Sequence, residues 1–279
     1  MAPRQHSLRS ALAVAPGTVN LAGYDSGDTP LAPGKKKATE SATLQHADDL
    51  AQLQERLFAE RKRSLLLVLQ GIDTAGKGGV ISHVVGLLGP AGTTVTAFKK
   101  PTPEEAAHHF LWRIRRALPD RGMIAAFDRS HYEDVIVPRV HETIPQAEWA
   151  QRYDEINAFE SALSDSGTVI VKCFLNISYA TQRDRLLARL DDPTKRWKFR
   201  EGDIDERAYW SDYQVAYTAM VQNCSTEVAP WYIVPSDHKW YRNWAVGEIV
   251  RETLAEMDPQ YPATDLDLPR LARRLAPPY

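Results

Sequence analysis

Ser64-Leu-Leu-Leu-Val-Leu-Gln70 runs straight into Gly71-Ile-Asp-Thr-Ala-Gly-Lys-Gly-Gly79, and these residues decide the fold. The first stretch is apolar on consecutive positions, the pattern of a strand buried on both faces of a parallel sheet. The second reads G-x-x-x-x-G-K after a strand and before a helix, the context in which that spacing describes a phosphate loop. Small residues at Thr74, Ala75, Gly76, Gly78 and Gly79 let successive backbone N–H groups curl around phosphate oxygens. The helix N-terminus adds its dipole, and Lys77 bridges the charge. Position 78, where a nucleotide-triphosphatase loop carries Ser or Thr on its metal, is Gly here. Another oxygen must hold a metal, and Asp73 is the nearest.

Working outward, Thr94 to Phe98, Met123 to Asp128, Thr168 to Leu175 and Trp231 to Val234 read as further strands. Helical segments are expected near 44–63, 78–88, 103–118, 145–163, 179–190, 203–222 and 239–257. Alternation of strands and helices implies βαβ units, hence an α/β fold: three layers, α/β/α, around a mostly parallel five-stranded sheet. The expected organisation is an N-terminal arm over 1–43, unstructured or hugging the surface, a phosphate-loop domain over 44–257, and a Pro-rich tail over 258–279 that coils or frays.

Composition narrows the function. The 279 residues are 43% hydrophobic, enough for one substantial core. Lys+Arg at 34 against Asp+Glu at 36 give no whole-chain basis for nucleic-acid or membrane-surface binding, so any anion site is local. No apolar run reaches the roughly 18 to 20 residues of a membrane span. Two cysteines, Cys173 and Cys224, fit neither a disulfide framework nor a zinc pattern and point to a reducing compartment, the cytoplasm. Arg4, Ser7, Arg9 and Ser10 resemble a transit peptide in composition only; the apolar stretch after them is too short for a secretory signal.

A second chemical block, Asp128-Arg129-Ser130-His131-Tyr132-Glu133-Asp134, falls at the carboxyl end of the third strand, where open α/β sheets gather ligands. Asp128 reads as a second metal carboxylate and Arg129 as a fork for a phosphoryl oxygen, with a local ion pair as the bland alternative. His131 reads as a hydrogen-bonding scaffold, because phosphoryl transfer needs little acid–base help. Between Arg183 and Arg200, seven basic residues stand against three acidic ones. Arg185 and Arg189, at i and i+4, share a helical face and could both meet one phosphate chain; Lys195 and Lys198 follow. A solvated face is the competing reading of this segment. Lys99, Lys100 and Arg113 form a further basic rim. The late aromatics, Tyr209 to Tyr213 and Trp231 to Tyr241, read as packing.

At these motifs the sequence resembles the family-2 polyphosphate kinases. The resemblance rests on four ordered blocks: Gly71 to Gly79, Asp128 to Tyr132, Leu190 to Lys198, and Ala229 to Arg242. It implies a P-loop kinase-like core under a helical lid at about 183–207. It also implies transfer of a terminal phosphoryl group between inorganic polyphosphate and a nucleotide, with Mg2+ as cofactor and Mn2+ as a substitute. The family's catalytic positions fall on Asp73, Lys77, Asp128, Arg129 and Arg189, with metal on Asp73 and Asp128. The wording Ser130-His-Tyr-Glu-Asp-Val135 resembles class III, which phosphorylates AMP and ADP, and places Glu133 near a shorter acceptor. Ser82, where relatives carry a cation, and Asp128, where some carry Asn, depart from that subgroup. The partners implied are polyphosphate and adenine nucleotides, with guanine as the alternative base, and a homodimer or homotetramer. The alternatives are an ADP- or GDP-specific polyphosphate kinase, an ATP-dependent small-molecule kinase, and a non-catalytic P-loop binding protein.

Overall fold

A computed structural model describes residues 7–275; Arg4 of the N-terminal composition and Pro277 and Pro278 of the tail lie outside the described residues. The chain opens with α1 (Leu8–Leu12), α2 (Lys36–Gln45) and α3 (Ala47–Glu60). Then come β1 (Ser64–Gln70), α4 (Lys77–His83), β2 (Thr93–Ala97), α5 (Pro103–Ala106), α6 (Trp112–Arg115) and β3 (Ile124–Asp128). The middle of the chain forms α7 (Glu133–Val140), α8 (Gln146–Asp165), β4 (Thr168–Asn176) and α9 (Tyr179–Asp191). The rest forms α10 (Gly202–Ala208), α11 (Trp210–Cys224), β5 (Trp231–Pro235), α12 (Lys239–Met257) and α13 (Leu268–Leu275).

The five strands pair in the order β2-β3-β1-β4-β5, every pairing parallel. Each residue of β1 is buried, as its unbroken apolar run requires of a central strand. β2 is an edge strand and stays partly exposed, which its threonines tolerate. Helices α1 to α4 gather around α12, which packs on β4 and β5, while α7, α8 and α11 pack together on the other face and α8 reaches β4. The result is the three-layer α/β/α fold expected.

Several elements depart from the sequence expectation. The helix expected over 44–63 is α3, and a further helix, α2, precedes it within the expected arm and meets it at His46, whose Nδ1 lies 3.0 Å from a Glu248 carboxylate oxygen on α12. The stretch 103–118 forms two short helices, the first closed by a capping box between Thr102 and Glu105. Helix α7, with Pro138 inside it, is an addition to the expected set. The tail includes an exposed helix, α13, instead of only coil.

The N-terminal arm hugs the body. Leu8, Leu12, Val14, Val19 and Leu21 are buried, and Ala13 bridges Tyr232 antiparallel, capping the open edge of β5. Further along, the Asn176 side chain donates to the Tyr24 carbonyl at 3.0 Å, and Ser26 Oγ donates to Asp237 at 3.0 Å.

Candidate active site

Parallel pairing of β1 with β3 sets Leu69 beside Asp128, so the loop after β1 and the residues after β3 leave the sheet together at its carboxyl end. A cleft of about 700 Å³ opens there. Asp73, Lys77, Asp128, Arg129 and Arg189 line it, together with Thr74, Gly76, Gly78, Gly79, Arg185, Lys195 and Lys198. A larger hollow of about 990 Å³ lies between α1 and α12, but there Arg9 is paired with Glu256 and Arg251 with Glu248. Its cations are paired with carboxylates, whereas Lys77, Arg185, Lys198, Lys239 and Arg242 of the cleft have no carboxylate partner among the described residues.

The loop is held in an unusual backbone shape. Gly71 and Gly76 have φ of 149° and 111°, where a side chain would be strained, and Thr74 takes the left-handed region at 65°. Arg129, at 63°, does the same after β3, with its N–H donated to the Leu69 carbonyl at 3.1 Å. Non-glycine residues in that region cost on the order of 1–3 kcal/mol each and cluster at functional sites.

Lys77 is buried, and its Nζ donates to the Gly71 carbonyl at 2.7 Å. Burial, reinforced by the neighbouring Arg129 cation, pushes it below the ordinary lysine range despite the carboxylates of Asp128 and Asp73. Burial raises Asp73, but Arg189 and Lys77 outweigh it and hold the carboxyl below its usual range. Arg189 Nη1 donates to Asp73 Oδ2 at 2.8 Å and lies 3.7 Å from Asp203 on α10. Arg129 Nε is 3.9 Å from Glu133, whose other oxygen accepts from Gln70 Nε2 at 2.9 Å.

Arg185 does not pair with Arg189 on a common anion. Its Nη1 donates to the carbonyls of Thr74 and Ala75 at 2.8 and 3.0 Å, and its Nη2 to those of Ser236 and Asp237 at 2.5 and 3.0 Å. Lys195 is 2.6 Å from Asp192, and the Lys198 ammonium lies 5.0 Å from the Trp197 ring centre. Ala75 is wholly buried in the loop.

Other expected contacts fall outside the cleft. Lys99 and Lys100 are exposed beyond β2 and do not line it. Arg113 is buried, donating to the Lys99 carbonyl at 2.8 Å and pairing with Asp134 at 3.2 Å, so it is a strut between two segments and no part of a basic rim. Charge in the sequence does not say which anion answers it; here the protein supplies its own. Glu133 stands behind Arg129 and is not part of the wall. His131 is fully buried, its Nε2 3.1 Å from Glu160, and it too is outside the wall.

The cleft adds residues to which the sequence assigned no role, His83, Lys239, Arg242 and Asn243, and Ser82, which stands where relatives carry a cation, lines it as well. Lys239 and Arg242 begin α12 directly after β5, at the same carboxyl end of the sheet. Burial, then the nearby Arg185 cation, brings the Arg242 guanidinium down to about 10. No carboxylate pairs with Arg185, Lys239 or Arg242 among the described residues; Arg185 and Arg242 meet loop carbonyls and Asn243 instead.

The donor set also suits magnesium. Two carboxylates, Asp73 and Asp128, face the cleft, and no cluster of three or more His, Cys, Asp or Glu exists among the described residues. Magnesium is usually held by one or two carboxylates completed by phosphate oxygens and water. Thr74 Oγ1 is buried without a partner beside Asp73, a free hydroxyl for a ligand oxygen or water.

A parallel sheet that feeds a lysine-bearing phosphate loop, beneath a helix carrying arginines over that loop, is the architecture of a P-loop kinase. Residues 34–262 match the family model described as polyphosphate kinase 2, and the chain belongs to that family. A relative from Meiothermus ruber named AMP/ADP-polyphosphate phosphotransferase is 46% identical over 88% of this chain and 92% of its own. The ADP-polyphosphate phosphotransferase of Rhodopseudomonas palustris is 43% identical over 77% of this chain and 78% of its own. The crystal structure of polyphosphate kinase 2 from Arthrobacter aurescens TC1 superposes with a TM-score of 0.93 at 47% identity, covering 96% of both chains.

Proposed function

We propose that this protein transfers the terminal phosphoryl group of inorganic polyphosphate to AMP and ADP, reversibly. The observation that carries the reading is the convergence of Lys77, Arg129 and Arg189 with Asp73 and Asp128 on one cation-rich cleft. Relatives named for the same transfer support it. In the forward step the P–O bond to the terminal phosphoryl group of the chain breaks. A new P–O bond forms to a terminal phosphate oxygen of the acceptor, which gains one phosphate as the polymer loses one.

The protein's part is positioning and charge. The loop N–H groups and Lys77 hold the phosphoryl oxygens, while Arg129 and Arg189 stabilise the charge that spreads over them as transfer proceeds. Lys195 and Lys198 extend the cationic track along which a polyanion lies. Asp73 and Asp128 are the residues that would hold Mg2+ or Mn2+. The metal, when bound, neutralises phosphate charge and orients the reacting oxygens. Glu133 orients Arg129 toward the acceptor, which fits use of AMP as well as ADP.

Two buried free cysteines fit a reducing cytoplasm, and no helix among the described residues is long and apolar enough to cross a membrane. A homodimer or homotetramer is the assembly that light scattering would test. The acceptor reading is tested by following AMP, ADP and ATP over time with saturating polyphosphate. ADP should rise and then fall as ATP accumulates, while AMP left untouched beside rapid use of ADP would restrict the enzyme to diphosphates.

A further inference from the structure

Arg242 is only 3% exposed, yet it faces no carboxylate. Its Nη1 donates to the Ala75 carbonyl at 3.2 Å, and its Nε and Nη2 donate to Asn243 Oδ1 at 3.1 and 2.8 Å. The guanidinium occupies the space that side chains on the phosphate loop would need. A Cβ on Gly76 would fall 1.7 Å from Nη1, and one on Gly79 would fall 2.5 Å from Nη2. Gly79 has no positive φ, and a side chain there would have to displace the Arg242 guanidinium. A buried cation left without an anion is costly, and a fold keeps one where its geometry is needed.

Arg185 complements it, capping the Thr74 and Ala75 carbonyls. Together the two guanidinium groups take the carbonyls of the loop at its left-handed turn. The Ala75 N–H is bonded to the Ile72 carbonyl at 3.0 Å, so it is the next peptide unit, whose Ala75 C=O is tied by both guanidinium groups, that has its Gly76 N–H turned to the other side.

We propose that Arg242 is a positioning residue of the phosphate loop: its guanidinium fills the hollow beside Gly76 and Gly79 and, with Arg185, ties the Ala75 carbonyl so that the Gly76 N–H stays turned toward the phosphate chain. This rests on the phosphotransfer reading for its kinetic consequence only. A misplacement of about 1 Å in such a cradle costs on the order of a hundredfold in rate.

The test compares wild type with Arg242→Gln and Arg242→Lys. Backbone hydrogen exchange over residues 71–79 should quicken at least about tenfold in Arg242→Gln, independent of any substrate. In the same variant kcat should fall at least about tenfold while the salt dependence of KM for polyphosphate is unchanged, and Arg242→Lys should recover part of the loss. Gly79→Ala should be damaging in wild type but add less than about threefold in the Arg242→Gln background. Unchanged loop exchange in a folded variant, or a full additive effect of Gly79→Ala, overturns the proposal. A salt slope reduced by about 1 also overturns it, because Arg242 would then be contacting phosphate itself. If Arg242→Gln does not fold, Arg242→Lys carries the same comparisons. Loss of loop protection in a protein inert toward polyphosphate would leave Arg242 in place and sink the substrate assignment instead.

Discussion

Arg189 of the lid donates from Nη1 to Asp73 Oδ2 at 2.8 Å, so a lid cation and a loop carboxylate neutralise each other across the cleft. Asp73 cannot serve Arg189 and a metal equally, since both draw on the same oxygens. A metal on Asp73 and a phosphoryl group on Arg189 would therefore compete with this ion pair.

That competition gives opposite signs for two variants. Asp73→Asn should raise the magnesium concentration for half-maximal activity at least about tenfold, since it removes a hard oxygen ligand. Arg189→Ala should lower kcat on the order of a hundredfold yet leave that midpoint unchanged or lower, because it removes a competitor for Asp73. Magnesium titrations of the two folded variants check this, and a raised midpoint in Arg189→Ala contradicts the competition.

Lys77→Ala should cut kcat by at least about a hundredfold with the thermal midpoint little changed, since Nζ meets only loop carbonyls within the protein and its cation is needed by the phosphates. Steady-state kinetics alongside circular dichroism decide the matter. Near-normal turnover in the folded variant would remove Lys77 from the site.

The loop was legible because G-x-x-x-x-G-K is local: strand, turn and helix N-terminus lie in one stretch, and backbone geometry follows from the glycines. Asp128 and Arg129 were legible because a strand's carboxyl end is predictable from its apolar run. Arg242 was not, as it reaches the Ala75 carbonyl across 167 residues of sequence and no spacing rule links them. Arg113 was misread for a related reason: its partner Asp134 belongs to α7, which lay outside the expected set of helices. Arg185 kept the expected helical face, but its nearest oxygens proved to be backbone carbonyls.

The buried pair behind the site carries a stability prediction. Lys172 Nζ lies 2.6 Å from Glu160 and 3.0 Å from the Tyr132 hydroxyl, and Glu160 also meets His131. Burial raises Glu160, but Lys172 and His131 outweigh it and hold the carboxyl below its ordinary range. Glu160→Gln leaves the Lys172 charge uncompensated and should cost about 3–5 kcal/mol at pH 7. A depressed carboxyl contributes stability above its unfolded pKa and loses it as pH falls through the folded one. The gap between wild type and Glu160→Gln should therefore be constant near neutrality and shrink below about pH 4. Denaturant melts from pH 7 to pH 3 measure it; a gap that widens with acid contradicts the pairing.

The cationic wall predicts salt dependence. KM for polyphosphate should rise steeply with ionic strength, as for proteins on nucleic-acid phosphates, and Lys198→Ala should reduce the logarithmic slope by about 1. KM measured from low to moderate salt checks both, and a flat profile would place the polymer elsewhere.

The most direct measurement of the central claim supplies polyphosphate, magnesium and either AMP or ADP to the purified protein, then counts nucleotide product by chromatography against phosphate units lost from the polymer. The account predicts one polymer phosphate consumed for each phosphate gained by the nucleotide, with none transferred when polyphosphate is omitted and at least about a hundredfold less by Lys77→Ala. Folded protein that leaves both nucleotides unphosphorylated beside intact polyphosphate, or that phosphorylates an acceptor only when ATP is the donor, would contradict it.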